Sequence, residues 1–156
     1  MTQYQYVVTI IWLRFLKPIW SFLINACFWI GRLNHIRQTR REMALLRQMP
    51  LSFVMALFLW RPDGMKDWTP WVMTIVCNGL QDDCDGAAVL ARWRLRHDGV
   101  RSRIVYLYSD VEGHAVCVTD DHRMFISNNL VCPLTSPDWR KEILGYYLGH
   151  YNTVID

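Results

Sequence analysis

At 156 residues, with 52% hydrophobic, 13% aromatic and 20% charged residues, the chain is one domain's worth; two large independent domains and a disordered or low-complexity chain are excluded. The net charge of +3 is unevenly placed, since residues 1–50 carry seven Lys/Arg against Glu42 alone and the remainder is net acidic. Five cysteines (Cys27, Cys77, Cys84, Cys117, Cys132), none in a C-x-x-C pair, argue against a disulfide scaffold and for a reducing compartment.

Residues Tyr6 to Ile30 are apolar apart from Thr9, Arg14, Lys17, Ser21 and Asn25, and the last four recur at spacings of three, four and four. That spacing draws one narrow polar stripe along a helix. The thirteen Leu, Ile, Phe and Val residues here favour membrane insertion by roughly 4 to 8 kcal/mol, while Arg14 and Lys17 near the centre each cost about 2.5 to 3.5 kcal/mol. The near-zero balance leaves two membrane readings open: a helix lying in the interface, or one spanning with its stripe turned toward other helices. Pro18 predicts a kink. Charges inside the apolar run and the lack of a small-residue cleavage pattern argue against a removable signal peptide.

Arg32, Arg37, Arg40, Arg41 and Arg47 follow in a polar, helix-compatible stretch. With a spanning first segment, this asymmetry puts the C-terminal part in the cytoplasm. The alternative is that both stretches are amphipathic helices packing on the rest of the chain or within a larger protein assembly. No aromatic interleaving supports nucleic-acid binding by these arginines. Residues 1–48 are therefore expected as a hydrophobic and basic helical segment, and 49–156 as a compact unit.

Within that unit, Leu51 to Trp60 is too short to span and reads as buried core. Arg61-Pro62-Asp63-Gly64 marks a turn. Trp71 to Cys77 reads as a short helix or turn, and Ala87 to Arg96 as a helix ended by Gly99 at C′. Ile104 to Tyr108, His114 to Thr119 and Met124 to Asn128 read as strands separated by polar turns. Asp138 to Tyr151 reads as a closing helix. The fold class is α+β.

Asp82-Asp83-Cys84-Asp85-Gly86 directly precedes the predicted helix. An aspartate N-cap puts Cys84 in the first turn, where the helix dipole favours a thiolate. Three neighbouring carboxylates oppose that, so activation calls for a nearby histidine. His114 opens a strand whose hairpin turn at Asp121/His122 sets the index sum of opposed residues near 242 or 243, placing Asn128 or Asn129 across from it. A cysteine, a histidine and an orienting amide make a nucleophile, base and orienter set. Gln81 is a candidate oxyanion donor or a plain loop residue. The bland alternative makes Cys84 a small buried hydrophobe, His114 a satisfied strand-end histidine and Asn128 a turn residue. His114 and Cys117 lie three apart on one strand and face opposite sides, and no other spacing suits zinc, so neither metal nor cofactor is expected.

The run Asp67-Trp68-Thr69-Pro70, then Asp83-Cys84-Asp85, Gly99, Arg103-Ile104-Val105-Tyr106, Gly113-His114-Ala115-Val116 and Ile126-Ser127-Asn128-Asn129-Leu130 resembles the transglutaminase-like cysteine peptidases of bacteria and their viruses. The resemblance covers about residues 65–131. It implies a papain-like core, with the cysteine helix packed on a small antiparallel sheet, and peptide or amide hydrolysis through a thioester on Cys84. It also implies His114 as general base and acid and Asn128 as the third member. The family usually has Asp at that third position, so Asp120 or Asp121 is expected to supply the missing negative charge. A protein or peptide substrate follows from the resemblance. The competing expectation is a structural protein that keeps the scaffold with a weak or inactive site.

Overall fold

The computed structural model describes residues 3–62 and 68–156. Asp63, Gly64 and Asp67, on which part of the expected turn and of the Trp68 motif rests, lie outside them. Helices α1 (Gln3–Ile11) and α2 (Lys17–Ile30) are joined by a single π-helical turn, Trp12–Leu16. Pro18 explains the turn: it offers no N–H to Arg14, and the ladder resets with Lys17 N–H bonding to Trp12 O. The expected kink is thus absorbed as a π-turn.

The polar stripe is a docking seam. Lys17, Ser21 and Asn25 are all buried. Ser21 Oγ accepts from the Thr69 N–H at 2.7 Å, and Asn25 Oδ1 accepts from the Trp71 N–H at 2.8 Å and the Thr74 hydroxyl at 2.7 Å. Asn25 Nδ2 donates to Thr69 O at 3.1 Å, and one turn on, the Trp29 indole N–H donates to Thr74 Oγ1 at 3.2 Å. Around this seam the rest of the helix is turned outward, with Phe15 and Ile19 each 62% and Ile30 74% exposed. The usual arrangement of a surface helix, apolar stripe inward, is inverted.

Helices α3 (Ile36–Gln48), α4 (Leu51–Ala56) and α5 (Val72–Cys77) lead to the central helix α6 (Cys84–His97). A short parallel pair, β1 (Leu59–Trp60) with β2 (Gln81–Asp82), sits just before it. Gly99, in left-handed backbone with φ 77°, ends α6 as expected. Strands β3 (Ser102–Tyr108), β4 (Gly113–Thr119), β5 (Met124–Ser127) and β6 (Leu130–Pro133), helix α7 (Trp139–Tyr146) and β7 (Thr153–Ile155) complete the chain. Five strands form one antiparallel sheet in the order β6-β5-β4-β3-β7.

Alternation along β4 builds two cores. Ala115 and Cys117 face α4, α5 and α6, whose Val54, Met55, Ile75, Leu90 and Ala91 are fully buried. Val116 and Val118 face α7 with Phe125, Trp139, Ile143 and Tyr151. Leu51 to Trp60 divides: Val54, Met55 and Phe58 are core, while Leu59 and Trp60 are exposed in β1. The closing helix stops at Tyr146, because Leu148 (φ 53°) and Gly149 (φ 79°) turn left-handed and send the chain back as β7.

Asn25→Ala leaves the buried Trp71 N–H and Thr74 hydroxyl without their acceptor, and unfolding of the full chain should cost about 2 to 3 kcal/mol less in urea titration. Gln38→Ala, which loses only an exposed bond to Glu42, should stay within about 0.5 kcal/mol.

Candidate active site

Cys84 opens α6 behind the N-cap Asp83, whose carboxylate accepts from the Asp85 N–H at 2.9 Å. Asp82 is buried, and its Oδ1 accepts from the Asp83 N–H at 2.9 Å. A side chain at Gly86 would meet Asp82 Cβ at 2.4 Å, so glycine lets the helix start lie directly on Asp82. Asp85 is buried against Lys17 of α2 in an ion pair, and the Lys17 ammonium stands 5.2 Å from the Tyr106 ring centroid.

The Cys84 sulfur is hydrogen-bonded by the Ala115 backbone N–H on β4. Burial first, then Asp83 and Asp85, push the thiol up to about 12, against the opposing pull of the Ala115 N–H and of Lys17. The helix dipole expected to favour a thiolate is outweighed by burial and carboxylates. Cys84 at rest is a neutral thiol.

His114 neighbours Ala115, and its ring packs on Tyr147 (5.5 Å between centroids) and stacks on Tyr151 (5.9 Å). Burial drives its imidazole down to about 4, with Glu112 pulling weakly the other way. Glu112 is itself held below the usual carboxylate range, chiefly by its hydrogen bond with His150, and also accepts from the Tyr151 hydroxyl at 3.2 Å. Thiol and ring converge on the end of β4, where its pairing with β5 stops at Cys117–Ile126. No hydrogen bond joins Cys84 to His114 among the described residues.

The third position is Ser127, not Asn128. The observed pairs, Cys117 with Ile126 and Val118 with Phe125, have an index sum of 243. In that register odd-numbered β5 residues share His114's face and Asn128 has the opposite parity. Ser127 Oγ lies 3.0 Å from His114 Nε2 and accepts from the Tyr147 hydroxyl at 2.6 Å. Asn128, with φ 49°, is a left-handed turn residue between β5 and β6, and its buried Oδ1 accepts no hydrogen bond. Asp120 does not support the imidazole either: it follows Thr119 at the other end of β4, roughly 20 Å away by strand rise, and pairs with Arg103 at 3.2 Å. Asp121 is fully exposed beside Arg123.

Sequence reasoning missed Ser127, Tyr147 and Lys17. Ser127 follows from the 243 register, which the turn left undecided. Lys17 was visible as a charge on the stripe, but its partner 68 residues away was not. Trp68, Gln81 and Asp82 line a cleft of about 260 Å³ beside the start of α6. Among the described residues no group of three or more His, Cys, Asp or Glu side chains is arranged to hold a metal ion.

No protein family's sequence profile matches the chain, and no curated protein matches it. Among solved structures the chain is similar to calcium-bound LapG of Legionella pneumophila, with a TM-score of 0.47 and 17% identity over 62% of this chain. The match spans 65% of the LapG chain's length. So shallow a likeness leaves the chemistry to the side chains themselves, and the His114 environment is directly measurable. Unfolded, the imidazole titrates near 6.5, and folded near 4, so the folded state binds fewer protons between those values. The contribution of this group to stability should be complete above about pH 6.5 and fall as the pH drops toward about 4. His114→Phe should remove that part of the slope in urea titrations across the same range.

Proposed function

We propose that the chain is a thiol hydrolase of the transglutaminase-like cysteine peptidase kind, cleaving a peptide or amide bond through a thioester on Cys84. The observation that carries this reading is the meeting of a helix-start thiol with the backbone of β4 next to a histidine whose far nitrogen is held by Ser127 and Tyr147. In the working tautomer Nε2–H donates to Ser127 Oγ and Nδ1 is the acceptor. Cys84 Sγ attacks the substrate carbonyl as its proton passes to Nδ1; the amine leaves with that proton, and the acyl group stays on sulfur. Water, giving a proton to His114, attacks the thioester; the acid departs and the thiol is restored. The Cys84 backbone N–H, in the first turn of α6 where no intrahelical acceptor exists, is the nearest donor for the oxyanion.

A second reading, an inactive or weakly active scaffold that is membrane-bound or embedded in a larger assembly, is favoured by one observation: burial keeps both the thiol and the imidazole neutral. The two readings separate on Cys84→Ala and His114→Ala. With a generic peptide library as substrate, the hydrolase reading expects each to abolish cleavage by the full chain. Ser127→Ala should lower kcat by about 10- to 100-fold through a misoriented imidazole, and Asn128→Ala should change it by less than about threefold. No cleavage above the Cys84→Ala background would leave the scaffold reading in possession.

We also propose that the chain sits on a membrane surface through α1 and α2. Tyr4–Ile30 is a run of 27 residues, long and apolar enough to cross a bilayer. Its seam, however, is bonded to Thr69, Trp71 and Thr74, and spanning would carry that irregular backbone into hydrocarbon. An in-plane position, apolar faces in the interface and seam under the domain, supports the interfacial alternative. In flotation with phosphatidylcholine/phosphatidylserine vesicles, full-length protein should rise with the lipid, and the double variant Phe15→Asp/Ile19→Asp should stay behind. Equal flotation of the two would defeat this placement.

A further inference from the structure

Lys17 belongs to the apolar N-terminal helix, yet its ammonium is buried beside the first turn of α6. A lysine in that position needs a reason. Burying an ion pair costs each partner several kcal/mol of hydration, and apolar residues of the same volume often serve a fold as well. The pair is also not needed to fix the helix in place, because Ser21, Asn25 and Trp29 already bind it through five hydrogen bonds to Thr69, Trp71 and Thr74. What Lys17 adds that those residues do not is a positive charge, delivered one residue from Cys84.

We propose that Lys17 is a positioning residue for Cys84: by neutralising Asp85 it makes the thiol reactive, so that seating the N-terminal helix on the domain and readying the nucleophile are one event. The ionisable groups around the thiol are Asp83 and Asp85 on its own element, Lys17 from α2, Tyr151 after α7 and His114 beside Ala115 on β4. Two of these are anions at neutral pH, and both oppose a thiolate; Lys17 is the cation that favours one. Without it, Asp85 stays buried with its charge facing the sulfur. The Lys17 ammonium also stands against the Tyr106 face, which holds it in place from the β3 side.

The inference rests on reading Cys84 as the reactive group, but its test needs no substrate. Full-length protein in vesicles is treated briefly with iodoacetamide at a series of pH values, and Cys84 labelling is followed by mass spectrometry. Lys17→Met should slow labelling at a fixed pH by about tenfold or more, and Asp85→Asn should speed it by a similar factor, each tenfold being about one unit in the thiol's titration. Lys17→Arg should stay within about threefold of the parent. A purely structural pair predicts something else, since either partner's loss breaks the same contact and both variants then shift the rate in the same direction. That result, or changes below about twofold, overturns the proposal. If Lys17→Met does not fold, Asp85→Asn decides alone: faster labelling supports the proposal, and unchanged or slower labelling overturns it. A protein that responds as expected yet cleaves no peptide loses the hydrolase reading and keeps the coupling.

Discussion

The buried pair between Lys17 and Asp85 constrains most of what surrounds it. A charged residue in the middle of a long apolar helix has to reach water or a partner, and Lys17 finds its partner in the first turn of α6. That choice fixes the rotation of the N-terminal helix about its axis. Ser21 and Asn25, one and two turns on, must then face the same way, where the backbone between Trp68 and Thr74 supplies the donors they accept from. The same rotation leaves Phe15, Ile19 and Phe22 facing outward. One interaction therefore decides both what the helix grips and what it shows.

A second consequence falls on the start of α6. Asp82, Asp83 and Asp85 crowd the sulfur, and each has a structural task there: Asp82 binds the Asp83 N–H, Asp83 caps the helix, and Asp85 anchors Lys17. The carboxylates that build the turn thus disfavour the thiolate the turn would otherwise promote. On the opposite side, the aromatic packing that places His114 also dries it, which lowers its basicity. Precision of position and ease of ionisation pull against each other at both groups. In such a site the neutral pair is the resting form, and charge develops only as substrate is attacked.

How much of this the chain's sequence discloses depends on the range of the interactions. Helix α6 and strands β3 to β5 are legible because their signals are local: an Asp cap, a Gly at C′, β-branched alternation. Strands β6 and β7 are not. Leu130–Pro133 is short, mostly exposed and ends in Pro, and Thr153–Ile155 has only three residues and is recruited by β3. Helix α7 reads four or five residues too long, because Tyr147 and Tyr151 keep helical spacing while Leu148 and Gly149 break the backbone. The exchange of Asn128 for Ser127 comes from a single residue of register. Thr119 Oγ1 accepts from both the Arg123 and Met124 N–H groups, drawing the turn closed around its hydroxyl, and such a contact leaves no trace in a pattern of hydrophobicity.

The polar stripe shows how one pattern holds two opposite structures. Four polar residues along an apolar helix read equally as the wet side of an interfacial helix or as the seam of one packed on protein. Charge alone does not separate them, because Arg14 at the outer end is exposed while Lys17, one turn inward, is buried. What separates them is the demand of the residues opposite. Thr69 and Trp71 lie in a stretch without regular structure, so their N–H groups need acceptors from elsewhere in the chain, and a buried amide left without one costs about 1 to 3 kcal/mol. Ser21 and Asn25 are those acceptors. The stripe is polar because the loop it covers is irregular, and the loop can be irregular because the stripe covers it; the apolar surface turned outward is what remains of the helix once that mutual need is met.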